Sequence, residues 1–180
     1  NYIVMGYDRL KVTLPSSLVG IDENNSAYVK ATFLQQQKDG KVVWEINSAD
    51  YPILFENSSE GCNYAATSES SYADYMHCNA MDWLEDANGN VTKVVTSFRN
   101  HESLVQFDVT NGDAATIDWI YSGKASTLEL DHNYTETRHD FWGNAFESAE
   151  FGQHCVRYLT DANGVKQADK LSVFDNDTGT

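Results

Sequence analysis

The tetrapeptide Asp-Ala-Asn-Gly stands at Asp86–Gly89 and again at Asp161–Gly164, and a His-Cys pair precedes each copy, at His77-Cys78 and His154-Cys155. Asn-Gly between alternating polar and apolar residues is the strongest short-range signal of a β-hairpin, because glycine takes the positive φ that a tight turn between twisted strands requires. Along His154–Phe174, Val156, Tyr158 and Thr160 fall on one face of the first strand, and Leu171 and Val173 on one face of the second. The two turns are 75 residues apart, and so are Trp44 and Trp119. Ile53 with Leu128, and Phe55 with Leu130, keep the same offset. An ordered series of matches at one offset implies an internal duplication.

The rest of the chain reads as further short strands. Arg9–Leu14 alternates and stops at Pro15, Tyr28–Leu34 alternates again, Lys38–Lys41 is a turn, and Val42–Ile46 and Tyr51–Phe55 follow as strands. Leu104–Val109, Thr116–Tyr121 and Thr127–Leu130 answer them in the second half. No segment carries helical periodicity. The expected fold is all-β: an antiparallel β-sandwich of two related units, 1–98 and 99–180, with Trp44 and Trp119 in their cores. The second unit has no counterpart of Arg9–Leu14, so it either shares a strand with the first or leaves an edge open. Tyr2–Met5 is then an extra strand of its own unit, the stronger expectation, or a strand donated to the open edge of another copy.

Twenty-seven acidic against twelve basic residues give a net charge of −15 and a pI near 4.5. Nothing in such a chain neutralises phosphates, which argues against nucleic acid and anionic membrane surfaces as partners. The apolar run Tyr2–Met5 is far below the ~20 residues that span a bilayer. Abundant Asn, Ser, Thr and Tyr with few Lys and Leu suit an extracellular or cell-surface protein; no leader is visible, and the Asn-x-Ser/Thr sequons at Asn24, Asn57, Asn90, Asn133 and Asn176 are of a number that such a composition produces in part by chance. Of the three cysteines, Cys62 and Cys78 form the simplest disulfide; Cys62–Cys155, Cys78–Cys155 and a fully reduced chain remain open.

The strand AYVKATF, a glycine turn, a strand carrying tryptophan and a closing D-A-N-G hairpin together resemble the bacterial immunoglobulin-like domains of surface adhesins and extracellular fibres. The hairpin LTDANGVKQADKLSVF carries most of the resemblance. Neither Tyr28–Leu34 nor Leu104–Val109 holds a cysteine to pair across the sheets, a departure from vertebrate-type domains. The resemblance implies a stalk, adhesion or assembly module without catalytic residues, whose partners are other copies of itself or neighbouring surface domains.

Adjacent strand residues point to opposite faces, so neither His-Cys pair can readily share one metal ion. Calcium suits the acidic loops better, since it takes several hard oxygens at flexible spacing. Asp22, Glu23, Asp175 and Asp177 are the candidate ligands, whereas plain turn chemistry outweighs calcium for the two D-A-N-G loops. The long segments Glu56–Met76 and Asp131–Gln153 mix aromatic and polar residues, as binding loops do. Arg138, His139 and Trp142 are the best candidates for contact with a ligand such as a glycan. No G-x-S-x-G, phosphate loop or H-E-x-x-H occurs. The sequence therefore predicts a structural or adhesive β-sandwich protein, assembled into a fibre by strand donation in one form, with a carbohydrate-binding module as the alternative and no enzymatic activity.

Overall fold

In the computed structural model the described residues are 2–18, 25–59, 63–112, 114–128, 136–140, 143–149 and 152–176. They form antiparallel sheets in which sequence neighbours are spatial neighbours. The first sheet holds β1 (Tyr2–Thr13), β2 (Ser26–Lys38) and β3 (Lys41–Asn47) in that order. A short helix, α1 (Pro52–Glu56), leads to the second sheet, β4 (Cys78–Glu85), β5 (Val91–Phe98), β6 (Ser103–Asp108) and β7 (Thr116–Tyr121). Two hairpins follow, β8 (Glu136–His139) with β9 (Ala145–Ser148), and β10 (His154–Thr160) with β11 (Lys166–Phe174).

The alternation of side chains makes the second sheet a middle layer. Val94, Val105, Phe107 and Ile120 point one way and pack with Leu34, Trp44 and Ile46 of the first sheet. Ala80, Val95 and Leu104 point the other way and pack with Val156 and Tyr158, with Leu171 and Val173 beside them. Burying each Val, Leu or Phe of such a two-sided sheet contributes roughly 1.5–3 kcal/mol, which holds the three layers together. Polar groups also cross the second interface. Asp82, 5 % exposed, accepts from the Tyr158 amide at 2.8 Å and pairs with Lys166, and the Tyr158 hydroxyl meets Gln106 Oε1.

The same five-residue loop closes two hairpins, and bonds of the same kind recur where β8 leads to β9. Gly89 and Gly164 bond back to the carbonyls of Asp86 and Asp161 at 3.0 Å, and each Asp side chain accepts backbone amides two and four positions on. Gly143 and Asp140 repeat the scheme, with the Asn144 amide on Asp140 Oδ1 at 2.8 Å. Gly143, like Gly89 and Gly164, has φ near +80°. The sequence there is Asp-Phe-Trp-Gly, which shares only the Asp and the Gly with Asp-Ala-Asn-Gly.

Several expectations change. Tyr51–Phe55 is not a strand: Pro52, with its fixed φ and missing N–H, opens the one-turn helix α1, and Leu54 and Phe55 are buried on it. The segment after it is no open binding loop. Tyr64 and Tyr75 are 2 % and 0 % exposed, and Tyr75 stacks on Phe55 with centroids 4.5 Å apart, covering part of β2. The stronger expectation for Tyr2–Met5 holds: it pairs within the chain, with Gln37–Leu34, as β1 runs along β2 from Ser26 to Gln37. Position 98/99 falls between β5 and β6, which pair from Lys93–Asp108 to Phe98–Ser103 in one sheet.

Candidate active site

The register of the middle sheet brings distant residues to one end of the stack. Cys78 at the start of β4 pairs with Phe98 at the end of β5, and Phe98 pairs with Ser103 at the start of β6. Gln153, just before β10, donates from Nε2 to the carbonyls of Phe98 (3.1 Å) and Ser103 (2.8 Å). His77, the turn Arg99–His101 and His154 therefore share one end, so three of the chain's five histidines gather there.

His77 has φ +49° and turns back onto Asp74. Its amide donates to Asp74 Oδ1 at 3.1 Å, and its Nδ1 lies 2.8 Å from Asp74 Oδ2. A carboxylate can only accept, so Nδ1 carries the proton and Nε2 keeps a lone pair. The His77 side chain is 44 % exposed. His154 Nδ1 lies 2.6 Å from the Gly152 carbonyl, again an obligate acceptor, which leaves His154 Nε2 as the basic nitrogen. The amides of Arg99 and Asn100 bond to the carbonyls of His77 and Met76 at 3.1 Å, and Asn100 Nδ2 bonds to the Asp74 carbonyl at 2.6 Å. These bonds lock the Arg99 turn to the His77 turn. Arg99 Nη1 donates to Asn100 Oδ1 at 3.2 Å, and Arg99 as a whole is half-buried.

A charged layer lies under this rim. His101 is fully buried, with Nδ1 2.6 Å from Ser103 Oγ. Burial, and then the nearby Lys124 ammonium, push its pKa down to about 3, so its ring stays neutral. Lys124 Nζ bonds to Asp140 Oδ2 at 2.7 Å, and Arg138 Nη2 lies 3.5 Å from Glu102 Oε1. Burial alone would raise the Asp140 carboxyl; the bonds from Lys124 and Asn144 outweigh it and hold the group below the usual carboxylate range. Gly123 lets these pieces meet: a Cβ there would lie 2.4 Å from the His101 carbonyl oxygen.

The expected ligand trio is described only in part. Arg138 points to Glu102, His139 is exposed at the end of β8, and Trp142 lies outside the described residues. Of the expected calcium ligands, Asp175 is half-buried, and Asp22, Glu23 and Asp177 lie outside the described residues. Among the described residues no group of three or more His, Cys, Asp and Glu could hold a metal. The Cys78 thiol is free and buried 3.2 Å from Met5 Sδ, and burial pushes it up to about 12; Cys62 lies outside the described residues. Sequence reasoning missed His77, Arg99, His101, Lys124 and His154 as a set. The available signal was positional: histidines stand at the ends of three strands, where chain segments converge.

A family model described as Arylsulfotransferase (ASST) matches residues 12–180. No curated protein and no solved structure matches this chain. The match spans most of the chain and overturns the adhesive, fibre-subunit and carbohydrate-binding expectations together with the absence of enzymatic activity. The reason is physical: a site assembled from the ends of separate strands leaves no short contiguous motif to find.

Proposed function

We propose, for a chain that belongs to the arylsulfotransferase family, that the end of the stack carrying His77, Arg99 and His154 is a sulfotransferase-type active site. One observation carries this reading: both rim imidazoles are anchored through Nδ1 and present a basic Nε2. Moving a sulfo group from an aryl sulfate to a phenol breaks one S–O bond and forms another. The acceptor hydroxyl loses a proton and the departing aryl oxide gains one. An imidazole with a free Nε2 lone pair does this work near neutral pH, and the Asp74 carboxylate suits His77 to it by stabilising the imidazolium that forms. Arg99 supplies positive charge for the sulfo oxygens in a protein of strongly negative net charge.

The test is transfer from a chromogenic aryl sulfate to an added phenol. His77→Ala and His154→Ala should each lower kcat by about 10²-fold or more, the usual worth of a positioned acid–base group, with an unchanged melting temperature. Acceptor-independent release of phenol, or full activity in both variants, would overturn the assignment.

The finer organisation we infer is repetition of a meander sheet rather than of immunoglobulin units. Gln36 faces Trp44 across β2–β3, and Gln106 faces Trp119 across β6–β7; the two tryptophans keep the 75-residue offset while the glutamines are 70 residues apart, which supports a repeated strand pair whose connection differs in length. Consecutive meanders stacked face to face are the plan of radial all-β arrays. An experimental structure in which β2–β3 and β6–β7 fail to superpose would remove that support.

A further inference from the structure

The geometry points to Gln153 as the positioning residue that sets the direction of His154. This rests on the reading of His154 as part of the active site. Gln153 is 0 % exposed, and its bonds run to three strands of the middle sheet. Its Nε2 donates to the Phe98 and Ser103 carbonyls, its backbone oxygen accepts from Asn79 Nδ2 at 2.7 Å and from Ser97 Oγ at 3.1 Å, and its Oε1 has no partner among the described residues. The side chain thus acts through its two amide protons, and those protons fill carbonyl valences where β5 turns into β6. The clamp fixes residue 153, while the flanking Gly152 and Cys155 take φ +54° and +60°. The chain is wound tightly on both sides of His154 and cannot absorb a shift by simple extension. The Gly152 carbonyl that receives His154 Nδ1–H lies inside this wound segment. Gln153 therefore acts in sequence: it pins the backbone, the backbone aims the Gly152 carbonyl, and the carbonyl fixes the tautomer and direction of the His154 ring.

The test reads the His154 ring directly, by imidazole ¹⁵N chemical shifts on the whole chain at pH 8. The wild-type protein should show the Nδ1–H tautomer at His154; a dominant Nε2–H tautomer overturns the proposal before any variant is made. Gln153→Met removes both amide protons at similar volume, and should return His154 toward the Nε2–H form that a free imidazole prefers while leaving the His77 signals in place. Gln153→Asn keeps a buried amide but shortens its reach, and should give an intermediate ratio; it carries the test if the Met variant does not fold. Wild-type tautomer ratios in a folded variant overturn the proposal. In the transfer assay the same variants should lower kcat about tenfold with little change in KM, as misplacement of a reacting group does. Absence of transfer in the wild-type protein would sink the functional reading, yet the tautomer measurement would still decide the role of Gln153.

Discussion

Asn79 Nδ2 lies 2.7 Å from the backbone oxygen of Gln153, although 74 positions separate the two residues. The bond ties β4 to the start of β10 at the end where His77 and His154 stand. Each residue is placed by a different sheet, so the distance between the two imidazoles depends on how those sheets dock. Asn79→Ala should cost about 1 kcal/mol, the net worth of one such bond. That lowers the melting temperature of a chain this size by roughly 2–4 °C in calorimetry. Transfer activity should fall further than this stability loss explains, because the bond lies between the two reacting groups; an unchanged kcat would count against that coupling.

Asp74→Asn should be nearly isosteric and should disturb catalysis more than folding. The amide can meet His77 Nδ1 with either its oxygen or its NH₂, so the Nδ1–H tautomer is no longer enforced, and the imidazolium loses its counter-charge. Transfer should drop by at least about tenfold with little change in urea midpoint. Equal activity in wild type and variant would show that Asp74 only shapes the loop.

His101 should make the fold acid-sensitive. Its folded pKa of about 3 lies below the unfolded 6.5, so only the unfolded chain takes up a proton between these values. The neutral ring imposes no penalty above pH 6.5, and stability drains away as the pH falls from there toward 3. The full effect is on the order of 5 kcal/mol. Urea unfolding at pH 7.5 and 4.5 measures it. Wild type should lose more stability between the two than His101→Gln, which cannot titrate, and parallel losses would refute the assignment.

Gly123→Ala should be one of the more damaging single-methyl additions. Gly123 has φ +68°, and a Cβ would sit 2.4 Å from the His101 oxygen and 3.2 Å from the Glu102 oxygen, both backbone atoms that cannot swing aside. Glu102 itself holds φ +52°, so the turn has little slack. The expected cost is about 2 kcal/mol or more, a melting point lower by roughly 5 °C. Gly164→Ala, with φ +80° but open space around the added methyl, should be milder in the same calorimetric comparison.

What the sequence reveals depends on how local the cause is. The D-A-N-G turns are read correctly because an Asp that accepts its own loop's amides and a glycine at positive φ act within five residues. Trp44 is buried as expected, since alternation over a few residues decides its face. Tyr51–Phe55 is misread because a five-residue apolar run has no period of its own, and Pro52 decides it. Tyr64 and Tyr75 look like loop aromatics until Phe55 and β2 give them something to cover. The site is the least legible part. Its members come from positions 74–77, 99–101, 124 and 153–154, and only the pairing of β4, β5 and β6 with the docking of β10 makes them neighbours.

β5 has a paired strand on each edge and a packed layer on each face, and Val94 and Val95 are both wholly shielded from solvent. Its amides can exchange with deuterium only when the middle sheet comes apart, so they should be the slowest in the molecule. Phe98 is the last residue of that strand, and Arg99 is the next residue in the chain. The cationic turn is thus rooted in the segment that opens last, and local breathing elsewhere in the protein leaves its footing undisturbed.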